Sequence, residues 1–254
     1  MSLIKKLAFK SLSKAGYVIT RKSSSRFHPI ELSKEECQIV DSVLDNQLTM
    51  VSRERLIATL MACKYVLENS IEGDFVECGV WRGGNAIVAG EMFKLYSSEK
   101  HVWLFDTFQG MTEPSALDKD YRGESAQLRY LTMQAETHNE WCYASLEEVT
   151  HNFSTRNLLG SRIHFVKGDV ATTLIKEQLP EKISVLRLDT DWFESTKVEC
   201  EVLYPKISKG GILIVDDYGH WGGSRQAIDE YFEKFPPKPF FHVTDYTGRI
   251  GVKP

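Results

Sequence analysis

Leu186-Arg-Leu-Asp-Thr-Asp191 and Ile212-Leu-Ile-Val-Asp-Asp217 decide the fold. Each is an apolar run that stops at two acids. The runs, Ile183–Leu188 and Gly211–Val215, are too short for helices and fit strands buried on both faces, as in a parallel sheet covered by helices. Working outward, Phe75–Cys78, Val102–Phe105 and Ile163–Val166 repeat the pattern, with helical periodicity between several of them. That alternation predicts an α/β fold with a mostly parallel sheet and helices on both faces. Upstream, Arg53–Leu67 carries Leu56, Ile57, Leu60, Met61, Ala62 and Val66 at helical spacing. Downstream, Pro239–Tyr246 and Arg249–Val252 flank Thr247-Gly248 and predict a C-terminal antiparallel hairpin.

In such sheets ligands bind beyond the carboxyl ends of the strands. The first strand runs into Glu77-Cys-Gly79-Val80-Trp-Arg-Gly-Gly84, a glycine-bearing turn that lets a ligand approach the backbone. The second ends at Asp106, 22 residues beyond Gly84, a spacing at which an acid commonly binds the ribose of an adenosine ligand. The third ends in Gly168-Asp169-Val170, where a carboxylate could accept an adenine amino group. The fourth and fifth supply Asp189, Asp191, Asp216 and Asp217. If those two strands are neighbours, four carboxyls crowd one sheet edge and raise each other's pKa. A hard divalent cation such as Mg²⁺ relieves this through oxygen ligands. The alternative is that the acids cap helices or pair with Arg225 and Lys197.

Composition narrows the setting. The chain has 254 residues, 42% hydrophobic and 26% charged, with a net charge of −4, so no basic field points to nucleic acid. Its five cysteines are scattered without a C-x-x-C pair, which disfavours a zinc site or disulfide framework and fits a reducing, cytoplasmic setting. No apolar run is long enough to span a bilayer. Residues 1–30 stand apart as a basic arm: Lys5, Lys6, Lys10, Lys14, Arg21, Lys22 and Arg26 are accompanied by no acid up to residue 26. The arm reads either as an amphipathic helix on an anionic membrane or a partner chain, or as a solvated segment packing on its own domain. Residues 31–254 form the expected domain, interrupted by a polar stretch at about 112–157. Its length and its position after a strand suggest an active-site lid, the alternative being a decorative helical excursion. A homo-oligomer is the expected assembly.

The segments FVECGVWRGG (75–84), LFDTFQGM (104–111), LRLDTDWFEST (186–196), LYPKISKGGILIVDDYGHW (203–221) and AIDEYF (227–232) resemble the macrocin O-methyltransferase family, the tylosin-, mycinamicin- and novobiocin-type sugar O-methyltransferases. The resemblance spans roughly residues 50–253 in consistent order. It implies a Rossmann-like class I methyltransferase sheet, S-adenosylmethionine and Mg²⁺ as cofactors, and a sugar hydroxyl on a small molecule or glycan as acceptor. Position by position, it implies Glu77, Gly79 and Val80 at the methionine end of the cofactor. Asp106 and Thr107 would then lie at the ribose, and Gly168, Asp169 and Val170 near the adenine. Asp189, Asp216 and Asp217 would hold the metal, and Asp191 would be the general base. His220 would be a second candidate base or an acceptor contact. Asp217-Tyr-Gly-His-Trp221 departs from the macrolide members, so the resemblance does not extend to a macrolide acceptor.

Two other classes compete. A nicotinamide-dependent oxidoreductase on a related sheet would bind NAD, yet the E-x-G-x-x-x-G-G turn and the four strand-end acids argue against it. A non-catalytic binding module would tolerate loss of a proposed metal ligand, and every one is present.

Overall fold

The computed structural model describes residues 28–254; most of the basic arm, residues 1–27, lies outside the described residues together with the readings made of it. Pro29–Leu32 form a turn. Helices α1 (Lys34–Asp45) and α2 (Arg53–Glu68) precede the sheet. The predicted apolar face of α2 is inward, with Leu56, Leu60 and Val66 fully buried, and Ser52 caps its first turn by accepting from the Arg55 amide.

Alternation then begins as expected: β1 (Asp74–Cys78), α3 (Gly84–Leu95), β2 (Val102–Asp106), α4 (Gln127–Thr132), α5 (Leu146–Ser154), β3 (Ile163–Lys167), α6 (Val170–Lys176), β4 (Ile183–Leu188), α7 (Phe193–Leu203), β5 (Ile207–Val215), α8 (Gly222–Lys234), β6 (His242–Val243) and β7 (Arg249–Val252). The sheet order is β3-β2-β1-β4-β5-β7-β6, the first five strands parallel and the last two antiparallel. Chain direction across the sheet reverses between β1 and β4, which opens the crevice where α/β sheets bind ligands. Every residue of β4 is buried.

Two predicted elements differ. Within Pro239–Tyr246 only His242 and Val243 pair with β7. Pro239 brings no amide donor, and at the other end Asp245 Oδ1 accepts from the amides of Thr247 (3.0 Å) and Gly248 (2.8 Å), folding the chain into a turn that ends the strand. The stretch 112–157 also divides. Its last part is α5, whose Val149 and Phe153 are fully buried, so this helix is part of the α/β body. The excursion proper is pinched at its neck, where Asn139 donates to the Gln109 carbonyl (2.8 Å) and Met111 to that of Trp141 (3.0 Å).

That excursion is tethered. Trp141 packs against Trp192 and Trp221, which precede α7 and α8, with ring centroids 5.0–5.9 Å apart and all three rings buried. Asp118, 1% exposed, accepts from the Phe193 amide at the start of α7 (2.8 Å) and from Ser115. A Cβ at Gly223 would collide with that carboxylate. The excursion thus supplies the N-terminal cap that α7 lacks from its own sequence.

Candidate active site

Strand register builds the site. Leu188 lies opposite Cys78 of β1 on one side and Val215 of β5 on the other. The ladder continues one step, since the Asp189 amide donates to the Cys78 carbonyl (2.8 Å) and the Asp216 amide to that of Leu188 (2.9 Å). The acids that end β4 and β5 are therefore neighbours. Gly79 makes room for them: its φ is +81° and a Cβ there would collide with the Asp189 carbonyl. Asp191 stands at φ +71°, a left-handed conformation that aspartate tolerates better than most side chains.

A cavity of about 270 Å³ opens above these strand ends. Asp189, Asp191 and Asp217 each offer it a carboxylate oxygen, all within 4.8 Å of one another. The other Asp217 contacts do not exhaust it: Oδ2 is buried and has no hydrogen-bond partner among the described residues. Asp216 behaves differently. Its carboxylate is 3% exposed and held by Arg187 and Arg55. Arg187, itself 1% exposed, also pairs with Glu77 (2.7 Å) and Asp189 (2.6 Å), while Arg55 pairs with Asp245 (3.0 Å). The cationic partners of the cluster are thus Arg187 and Arg55, and not the Arg225 and Lys197 of the alternative reading. Six carboxyls meet two guanidiniums. Burial drives Asp189 and Asp217 well above the ordinary carboxyl range, and it pushes Asp191 up to about 7, as it does Glu77 despite the opposing Arg187.

A buried acid backs this loop. The Thr190 hydroxyl, between Asp189 and Asp191, donates to Glu199 Oε1 of α7 (2.8 Å), and burial pushes the Glu199 carboxyl up to about 8. On the other side of the cavity, Asp106 accepts from the amides of Val80 and Phe108, both 2.7 Å, and more distantly from that of Trp81. Asp169 Oδ1 caps α6 through the Ala171 amide (2.9 Å). His220 Nδ1 lies 3.0 Å from the Tyr246 hydroxyl, and burial lowers its pKa.

The chain has known relatives. Residues 10–247 match the family described as Macrocin-O-methyltransferase (TylF). The chain belongs to that family. The O-methyltransferase is 35% identical to the demethyldecarbamoylnovobiocin O-methyltransferase of Streptomyces niveus over 191 residues, 75% of this chain and 70% of that protein. It is 32% identical over 189 residues to the mycinamicin III 3''-O-methyltransferase of Micromonospora griseorubida, covering 73% and 70% of the two chains. Among solved structures, the O-methyltransferase NovP superposes with a TM-score of 0.72 at 32% identity, covering 81% of each chain.

Most of the sequence-predicted positions of the methyltransferase face one cavity. Gly79, Val80, Asp106, Thr107, Gly168, Asp169 and Val170 line it, as do Asp189, Asp191, Asp216, Asp217 and His220. Glu77 does not: its carboxyl is buried and held by Arg187. Asp216, expected as a metal ligand, lines the cavity with its oxygens already taken by two guanidiniums. The sequence reading missed Arg187, although a cation in the otherwise apolar run Ile183–Leu188 is its own signal, and it missed Arg55, Arg129 and Thr49–Val51, which carry none.

Proposed function

We propose that the chain is an S-adenosylmethionine- and Mg²⁺-dependent O-methyltransferase of the cytoplasm that methylates a sugar hydroxyl of a glycosylated small molecule. Family membership supports the methyl transfer, and the named activities of the relatives support a glycosylated acceptor. The observation that carries the metal is the acid triad with the orphaned Asp217 Oδ2: oxygen donors alone, in excess over cationic partners, suit a hard divalent ion. Asp189 and Asp217 would hold it, and Asp216, engaged by arginines, would keep Arg55 and Arg187 in register beside it.

S-adenosylmethionine supplies a methyl electrophile and the divalent ion a Lewis acid that makes an alcohol more acidic. The chain's own residues do the rest. Asp191, poised near neutral pH, would take the proton of the acceptor hydroxyl as that oxygen is methylated. Asp106 and the Gly79–Val80 turn position the cofactor, and the tethered excursion limits water. Transfer of labelled methyl to a panel of glycosides tests the reading: activity should vanish in EDTA and return with Mg²⁺. Full activity in EDTA would remove the metal and leave His220 as the base.

A further inference from the structure

Two arginines line the cavity, and they are in opposite states. Arg55 is committed to Asp216 and Asp245. Arg129, on α4 of the excursion, makes no ion pair and no side-chain hydrogen bond among the described residues. What holds it is the face of Trp141, with the guanidinium carbon 4.2 Å from the ring centroid. Trp141 is in turn fixed by Trp192 and Trp221. The cation is therefore pre-set in direction, while its five donors are uncommitted.

We propose that Arg129 reads an anionic oxygen group, carboxylate or phosphoryl, carried by the acceptor beside the sugar to be methylated. This rests on the methyltransferase reading above. Its position separates it from the cofactor's own charges: Arg129 stacks on Trp141, which packs on Trp192, the neighbour of Asp191, and on Trp221, the neighbour of His220, so it stands on the acid-cluster side of the cavity. The cofactor side is formed by Gly79, Asp106 and Asp169. Arg129 is exposed at the rim of the excursion, and a neutral sugar would leave its guanidinium to water alone. An anionic one gains a charge-assisted, bidentate contact, and the surrounding acids exclude it unless it docks on Arg129.

The test is calorimetric, on full-length enzyme loaded with S-adenosylhomocysteine and Mg²⁺, with three probes: methyl β-D-glucuronide, UDP-glucose and neutral methyl β-D-glucoside. The glucuronide or UDP-glucose should bind at least about tenfold tighter than the glucoside, a gap of ~1.4 kcal/mol. Whichever anion wins identifies the group. Arg129→Ala should abolish the gap, Arg129→Lys should keep part of it, and S-adenosylhomocysteine affinity should be the same in all three proteins. Equal binding of the probes, no binding of either anion, or a gap that survives in Arg129→Ala overturns the proposal. Weaker S-adenosylhomocysteine binding in Arg129→Ala would also overturn it, by placing the cation at the cofactor. Wild-type enzyme unable to bind S-adenosylhomocysteine would instead sink the methyltransferase reading itself.

Discussion

At the scale of single residues, the site depends on carboxyls kept from ionising easily. Asp191 reaches about 7 because burial, aided by the Asp189 and Asp216 charges, outweighs its hydrogen bonds, so its basic form fills as pH rises through neutrality, and a bound cation draws that midpoint lower. Asp191→Asn should cut kcat by ~10²–10⁴-fold and lose the rising limb of the pH–rate profile. Retained Mg²⁺ affinity by calorimetry separates this role from that of a metal ligand, and an unchanged kcat moves the base elsewhere. Glu199 makes a stability prediction. Its carboxyl is raised from 4.5 to about 8, so the folded state holds a proton that the unfolded chain releases earlier. Its contribution is complete below the unfolded value and fades as pH rises through 8. Glu199→Gln should flatten that decline, worth on the order of a few kcal/mol across the window, as read by urea midpoints at pH 5, 7 and 9. A variant that tracks the wild type at all three would contradict it. Asp191 and its neighbours were legible as acids at strand ends, whereas Glu199, inside α7, was not; which arginines would neutralise the cluster was not legible either, because that depends on side-chain direction across three strands and α2.

Among elements, the strands were the most readable part, since an apolar run ended by acids or glycine leaves little choice. The excursion after β2 was legible only as an interruption. Its neck is made of backbone hydrogen bonds and its anchor of three tryptophans far apart in sequence, neither of which shows as periodicity. The cap that Asp118 gives α7 is such a long-range feature. Asp118→Ala should cost about 1–2 kcal/mol, in the range of a lost N-cap, and should speed proteolysis within residues 112–140 while far-ultraviolet dichroism is unchanged. Cleavage at the wild-type rate would show that the tryptophans alone hold the excursion.

For the whole molecule, topology turns local signals into one site. Strand order 3-2-1-4-5 places β4 between β1 and β5, so a glycine turn and two acidic strand ends share an edge. The sequence shows each strand end but not their adjacency, which is why the acids could be expected to cluster only if β4 and β5 were neighbours. The tryptophan anchor has a further consequence. Rings 5–6 Å apart and steeply inclined couple their electronic transitions, giving the molecule a built-in optical gauge at the seam between excursion and sheet. Swinging the excursion away would carry Trp141 from Trp192 and Trp221 and collapse their shared near-ultraviolet dichroism band. The far-ultraviolet signal of the backbone would stay. If the excursion opens during turnover, stopped flow should show it without any attached dye, and Trp141→Phe should erase the signal.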